Sequence, residues 1–252
     1  MMKRSVTFET KVWEGDYEII LGTNRLQKMI ERNCYTFDKR VVNINNVNDY
    51  QKVSDLCQRR VDEGVIDSFV VVKDYADEAL EFFGLKKEDF GAGYVYSIAE
   101  LVGIYLCKTD YLLHFAGDAC LDKPYHWMDD ALGLMEASPE VKVATLVWNG
   151  RMDQVRKESF LEDKTFCHCY GFSDQMYLVR SADFRQKIYT ESHPFSERYP
   201  KYGGELFEKR VDSWMRNHDC RRVVWKQGSY RHVSFKSDTL GRIKGRLREW
   251  LN

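Results

Sequence analysis

Three acids and a histidine stand where a metal-bound diphosphate would need them. The segment Asp110-Tyr-Leu-Leu-His-Phe-Ala-Gly-Asp118 ends an apolar run on a carboxylate. Such a run reads as a strand enclosed in a sheet, and open α/β sheets bind ligands at the carboxyl ends of their strands. A hard divalent cation carrying substrate phosphates asks for only one or two protein carboxylates. Asp118 suits that task, with Asp122 a weaker second candidate. Farther on, Tyr202-Gly-Gly-Glu-Leu-Phe-Glu208 sets two glycines ahead of two acids. A backbone without Cβ atoms approaches a ligand closely, and a carboxylate partly withdrawn from water deprotonates a hydroxyl well. Glu205, directly after the glycines, is expected to begin a helix, face the cleft and act as the base, with Glu208 orienting substrate. His232 in Ser229-Tyr-Arg-His-Val233 offers an imidazole to complete the coordination shell. Asp118 and His232 are therefore expected side by side as metal ligands. Ordinary structural roles compete with each assignment: a strand-end cap, acids favoured by a helix dipole, a packed histidine.

Two further clusters are polar at strand ends. Gly171-Phe-Ser-Asp-Gln-Met176 places Asp174 ahead of an apolar strand, where it caps a turn or binds sugar hydroxyls. Trp148-Asn-Gly150 closes another strand, and its indole either stacks on a sugar ring or fills the core beside a β-turn. The sequence holds no GxGxxG after its first strand, no GxxxxGK[ST] and no GxSxG. Rossmann dinucleotide, P-loop and hydrolase-elbow readings thus lose their main support.

The elements that must position these residues alternate between strand and helix. Strand patterns cover 5–10, 40–45, 68–74, 110–118, 141–147 and 175–179. Between them, helical stripes carry Leu26, Met29 and Ile30 after an Asn24 cap, then Val53, Leu56, Cys57 and Val61 over 49–63. Others carry Leu80 and Phe83, and the apolar run 96–107 that follows Gly91-Ala-Gly93. Strands joined by helices call for a parallel sheet with right-handed crossovers. The second half has longer irregular stretches, including the proline- and glycine-bearing loop 192–204. One α/β domain over 1–235 is expected, with a nucleotide-binding half over about 1–120 and an acceptor half over about 121–235.

Composition excludes several classes. In 252 residues, 38 Lys and Arg against 39 Asp and Glu leave a formal charge of −1, which gives no footprint for nucleic acid. Seven cysteines without a CxxC pair argue for reduced thiols, and Cys167-His-Cys169 lacks the spacing of a zinc site. No apolar run approaches the ~20 residues of a membrane span, and a cytoplasmic protein is expected. The tail 236–252 reads as a C-terminal amphipathic helix, with Leu240, Ile243, Leu247 and Trp250 among Arg242, Lys244, Arg246 and Arg248. It would dock on the domain or make a peripheral contact with an anionic membrane.

The order of these features resembles a glycosyltransferase of the GT-A fold, similar to family 2 and to its polypeptide N-acetylgalactosaminyltransferase and β-1,4-galactosyltransferase relatives. Lys108 to Asp118 resembles the approach to that family's DxD motif, here Asp118-Ala-Cys120 with a cysteine replacing the second acid. Residues 173–184 resemble its acceptor-side strand, and Gly203-Gly-Glu-Leu-Phe-Glu208 followed by His232 resembles its GGE segment and late histidine. The resemblance implies an α/β fold of GT-A type, with a Rossmann-like, mostly parallel central sheet flanked by helices. It implies sugar transfer from a nucleotide-diphosphate sugar to an acceptor hydroxyl, assisted by Mn2+ or Mg2+. The donor would be a UDP- or GDP-sugar, and the acceptor a glycan, a lipid-linked molecule or a protein. Thr10, Asn45, Asn46, Asp74, Gly91 and Gly93 would contact the nucleotide, and Trp148 and Asp174 the sugar or acceptor. A nucleotidyltransferase on a similar sheet and a non-catalytic carbohydrate-binding protein are the alternatives.

Overall fold

Strand β1 (Val6–Val12) alternates apolar and polar residues, yet both of its faces are buried. Val6, Phe8 and Val12 point to one side, and Thr7, Glu9 and Lys11 to the other, as the pleat requires. The computed structural model describes residues 4–200, 204–233 and 235. Parallel strands β2 (Lys39–Ile44), β3 (Ser68–Val71) and β4 (Tyr111–Phe115) extend the sheet on either side of β1. The remaining strands are β5 (Ala119–Leu121), β6 (Val141–Trp148), β7 (Ser159–Glu162), β8 (Phe166–Cys169), β9 (Met176–Arg180) and β10 (Arg221–His232). Their order is β3-β2-β1-β4-β9-β6-β10-β8-β7, with β5 paired to the end of β10. Strand β9 runs antiparallel to both β4 and β6, while β6 and β10 are parallel. Strands β1 to β4, β6 and β10 thus all point their carboxyl ends to one edge.

The helices are α1 (Tyr17–Gly22), α2 (Arg25–Glu31), α3 (Tyr50–Asp62), α4 (Ala76–Phe83), α5 (Tyr94–Leu106), α6 (Met128–Ala137), α7 (Met152–Glu158), α8 (Ser181–Phe184) and α9 (Phe207–Asn217). One face of the sheet buries Phe8, Leu113 and Phe115 against Leu26, Met29, Val53 and Leu132 of α2, α3 and α6. The opposite face buries Leu112, Tyr177 and Val179 against Phe83, Leu101, Val102, Phe207 and Val211 of α4, α5 and α9. Each large apolar side chain so buried contributes about 1.5–3 kcal/mol.

The expected mostly parallel sheet is present, with β9 and β8 running against their neighbours. Two local expectations are corrected. The strand expected to reach Asp74 stops at Val71, and Val72–Asp74 is a 3-10 turn that leaves Asp74 exposed. The helix expected from Glu205 begins at Phe207 instead, so Glu205 lies ahead of it. The tail 236–252 and Gly203 lie outside the described residues. Among the described residues, no helix is long and apolar enough to cross a membrane.

Candidate active site

Strand β4 ends at Phe115, and the turn Ala116-Gly117-Asp118 delivers Asp118 to the carboxyl edge before β5 begins. Gly117 makes that turn possible. A Cβ there would stand 2.3 Å from Ile20 Cδ1, 2.7 Å from Asp16 Oδ2 and 2.9 Å from the Lys11 carbonyl oxygen. The Gly117 carbonyl accepts from Arg25 Nε at 3.0 Å. Strand β10 carries His232 to the same edge, where its backbone N–H donates to Asn149 Oδ1 at 3.0 Å. Val233 N–H donates to the Asp118 carbonyl, also at 3.0 Å. With both backbones fixed, His232 Nε2 meets Asp118 Oδ2 at 3.0 Å, and both side chains stay about a quarter exposed. The hydrogen bond to Asp118 raises the imidazole pKa above its ordinary value against the opposing effect of burial. Asp16 lies beside them, fully buried, and burial pushes its carboxyl well up with the Asp118 charge adding to it.

Next to this pair sits a second acidic group. Glu208, in the first turn of α9, accepts the backbone N–H of Asp174. Burial pushes its carboxyl up to about 8, and the nearby charge of Asp174 pushes in the same direction. Asp174 also lies within electrostatic reach of His232. The start of α9 is anchored from α5, because Phe207 N–H donates to Ser97 Oγ at 2.9 Å. Gly204 crosses the 90–93 turn at φ +74, and a Cβ there would stand 2.8 Å from the Phe90 carbonyl. Only glycine suits that left-handed, crowded position.

Under the site runs a buried polar layer on the face of β1 that meets α5. Glu9 accepts from Asn43 Nδ2 at 2.8 Å and meets His114 Nδ1 at 2.6 Å. Lys11 pairs with Glu100, whose side chain is wholly buried. Burial lowers the Lys11 pKa, but Glu100 and Asp174 more than offset it, so the ammonium is held above its ordinary value. Burial likewise pushes the Glu100 carboxyl up. Gly103 lets α5 approach, since a Cβ there would stand 3.0 Å from Asn43 Nδ2 and 3.3 Å from Glu9 Oε2.

Several expected residues fall at this edge in other roles. Asn45 and Asn46 follow β2, and both side-chain amides donate to the Val95 carbonyl at 3.2 and 2.8 Å. That ties the β2 loop to the start of α5. Gly91 and Gly93 form the 3-10 turn over which Gly204 crosses. Trp148 ends β6 with the Arg151 guanidinium 5.3 Å from its ring centre. Thr10 is fully buried, and its hydroxyl donates to the Phe115 carbonyl at 2.7 Å. Glu205 pairs with Lys209 at 2.8 Å on a half-exposed surface. Cys120 is buried against Arg32 Nη1 at 3.9 Å, on the core side rather than with Asp118. Sequence reasoning missed Trp13, Lys11, Glu100 and Asp16. Trp13 follows β1 with its indole over Gly15, and it remains 45% exposed.

No protein-family model matches this sequence, and no curated protein matches it in sequence. GalNAc-T7 with UDP, GalNAc and Mn2+ superposes with a TM-score of 0.55 at 9% identity, covering 98% of this chain and 47% of that one. The Mycobacterium tuberculosis glucosyl-3-phosphoglycerate synthase with Mn2+, UDP-glucose and glycerol 3-phosphate gives 0.50 at 14% identity, covering 98% and 80%. The fold is of the GT-A type. A UDP-glucose pyrophosphorylase complexed with UDP-glucose is also similar, with a TM-score of 0.53 at 11% identity over 99% of both chains. The GT-A sheet thus has its carboxyl edge, with Asp118 and His232, where this chain gathers its acids.

Proposed function

We propose that this protein transfers a sugar from a nucleotide-diphosphate sugar to an acceptor hydroxyl, with Asp118 and His232 holding Mn2+ or Mg2+. The observation that carries the reading is the Asp118–His232 contact at 3.0 Å on the carboxyl edge of a GT-A sheet. Their oxygen and nitrogen are held close by anchored backbones, so one cation can be reached by both when it displaces the hydrogen bond between them. Cys120, third in Asp118-Ala-Cys120, is buried in the core, so among the described residues we take Asp118 and His232 as the two ligands. That number suits a cation that keeps waters and substrate phosphates in its shell. When bound, the cation neutralises charge on the departing diphosphate.

The chain's own residues supply the rest. Trp13 offers an exposed aromatic face to the base beside Asn45 and Asn46. Glu208 takes the acceptor's proton, in place of Glu205, because its carboxyl is buried beside Asp174 and its pKa lies near the operating range that general bases need. Asp174, whose backbone N–H binds Glu208, lies between that acid and His232. The GT-A proteins named above bind UDP, so UDP-sugars are the first donors to test. The similarity to a pyrophosphorylase keeps nucleotidyl transfer as the second reading. Incubation with UDP- and GDP-sugars, with and without Mn2+, separates them. Release of the nucleoside diphosphate, abolished by Asp118→Asn, supports sugar transfer. Sugar phosphate and nucleoside triphosphate formed in the presence of pyrophosphate would support the other. Neither product with any donor would refute both.

A further inference from the structure

Beside the acids, between β6, α7, β10 and the turn that carries Asp174, lies a cavity of about 210 Å³. Trp148, Arg151, Gln154, Ser173, Arg222 and Tyr230 are among its walls. Trp148 Nε1 and Arg222 Nε are buried and have no hydrogen-bond partner among the described residues. A buried donor left without an acceptor is costly, so a guest bringing acceptor atoms would relieve that cost at both groups. Charge points the same way. Arg151 lies over the Trp148 ring, and Arg222 reaches Glu158 Oε2 at 3.1 Å. Two guanidinium groups therefore face one carboxylate at this cavity, an excess of one positive charge. The volume lies below the ~300 Å³ at which pockets begin to hold drug-sized ligands. A single small ring or a short acid is the size it admits. The cavity adjoins the acids through Ser173 and Gln175, which flank Asp174, and through Tyr230, two residues before His232.

We infer that this cavity seats the acceptor and recognises it by an oxyanion, a carboxylate or a phosphate on a small molecule. The word acceptor rests on the transferase reading; the recognition of an oxyanion rests on the cavity alone. Calorimetric titration of the full chain, without nucleotide, tests it with matched probes: glucose, glucuronate, glucose 6-phosphate and inorganic phosphate. At least one acidic probe should bind tenfold or more tightly than glucose. The better of glucuronate and glucose 6-phosphate identifies which oxyanion is read, and inorganic phosphate shows whether the ring adds to it. Arg222→Gln should weaken acid binding by tenfold or more. Gln154→Glu should do the same by repulsion. Gln154 is exposed and this change removes no buried group, so the variant stays folded even where Arg222→Gln does not. Equal affinity for glucose and the acids, or acid binding untouched by Gln154→Glu, would overturn the inference. Acid binding without sugar transfer would instead overturn the transferase reading and leave the cavity's specificity standing.

Discussion

Adding one methyl group at Gly117 tests whether the turn that carries Asp118 is as crowded as its geometry shows. A Cβ there meets Ile20 Cδ1 at 2.3 Å, Asp16 Oδ2 at 2.7 Å and the Lys11 carbonyl at 2.9 Å. The Ile20 methyl can rotate away, but the carbonyl belongs to the β1 segment and cannot. Overpacking of this kind costs about 1–3 kcal/mol. At about 2–4 °C per kcal/mol for a chain of this size, Gly117→Ala should lower Tm by about 2–12 °C. Gly133→Ala is the control, because its added Cβ, in α6, meets nothing within 4 Å. That change should leave stability unchanged or raise it by up to about 1 kcal/mol. Urea and thermal unfolding of the two variants measure the contrast. Turnover of a nucleotide sugar should fall further in Gly117→Ala than stability alone explains, because displacing a catalytic group by about 1 Å can cost ~100-fold. Identical melting of the two variants would refute the close packing of α1 beneath the site.

Glu208→Gln should remove a pH limb. If Glu208 is the base, its working form is deprotonated, so kcat/KM in the parent should rise with pH towards a plateau above about 8. The variant should be slow and lack that rise, and a parent profile flat from about pH 6 to about pH 9 would exclude the role. The folded pKa lies above the ordinary carboxylate value of 4.5, so the stability linked to protonated Glu208 is complete below 4.5 and lost as pH rises through about 8. The variant's unfolding free energy should therefore decline less than the parent's over that window. Lys11→Met should destabilise by about 3–5 kcal/mol, because it strips the cation from the wholly buried Glu100. A loss below about 1 kcal/mol in urea unfolding would show that the pair is not ionic.

Much of the first half was legible because its signals are local. Apolar runs ended in polar clusters at Asn45, Asp118 and Trp148, and each of these lies at the carboxyl edge. Asp118 stood out as a strand-end acid, whereas its proximity to His232 had no local signal and was expected through the family resemblance. Glu205 was favoured over Glu208 because the glycine pair marks a turn, but nothing local shows that Leu206 caps the helix and that Lys209 captures Glu205. Thr10 looked like a strand-end polar residue, yet β1 continues past it to Val12. Glu9, Glu100 and His114 were unreadable as a group, since their partners come from separate elements. One trace existed: Glu100 is an acid in the middle of a helix whose residues 97–104 are all buried. Strands β5 and β10 were missed because their pairings join segments far apart in sequence, and β7 and β8 because four residues each are too few to show a period.

The place of β10 in the sheet bears on how the molecule is made. It enters between β6 and β8, so residues 141–148 wait for 221–232 while some seventy residues of chain intervene. Closing a loop of that length costs entropy before any contact repays it, and pairings of high sequence separation fold slowly. In the other half β1–β2 and β2–β3 join strands close in sequence, whereas β1 and β4 pair from Val6–Thr10 to Tyr111–Phe115 and face the same delay. His232, on the last strand to be made, should arrive among the last groups to be placed. Until then one edge of β6 and one of β8 present unpaired N–H and C=O groups, a template for joining another chain. A chain interrupted before Arg221 would be not only inactive but prone to self-association, and refolding yield should fall with protein concentration.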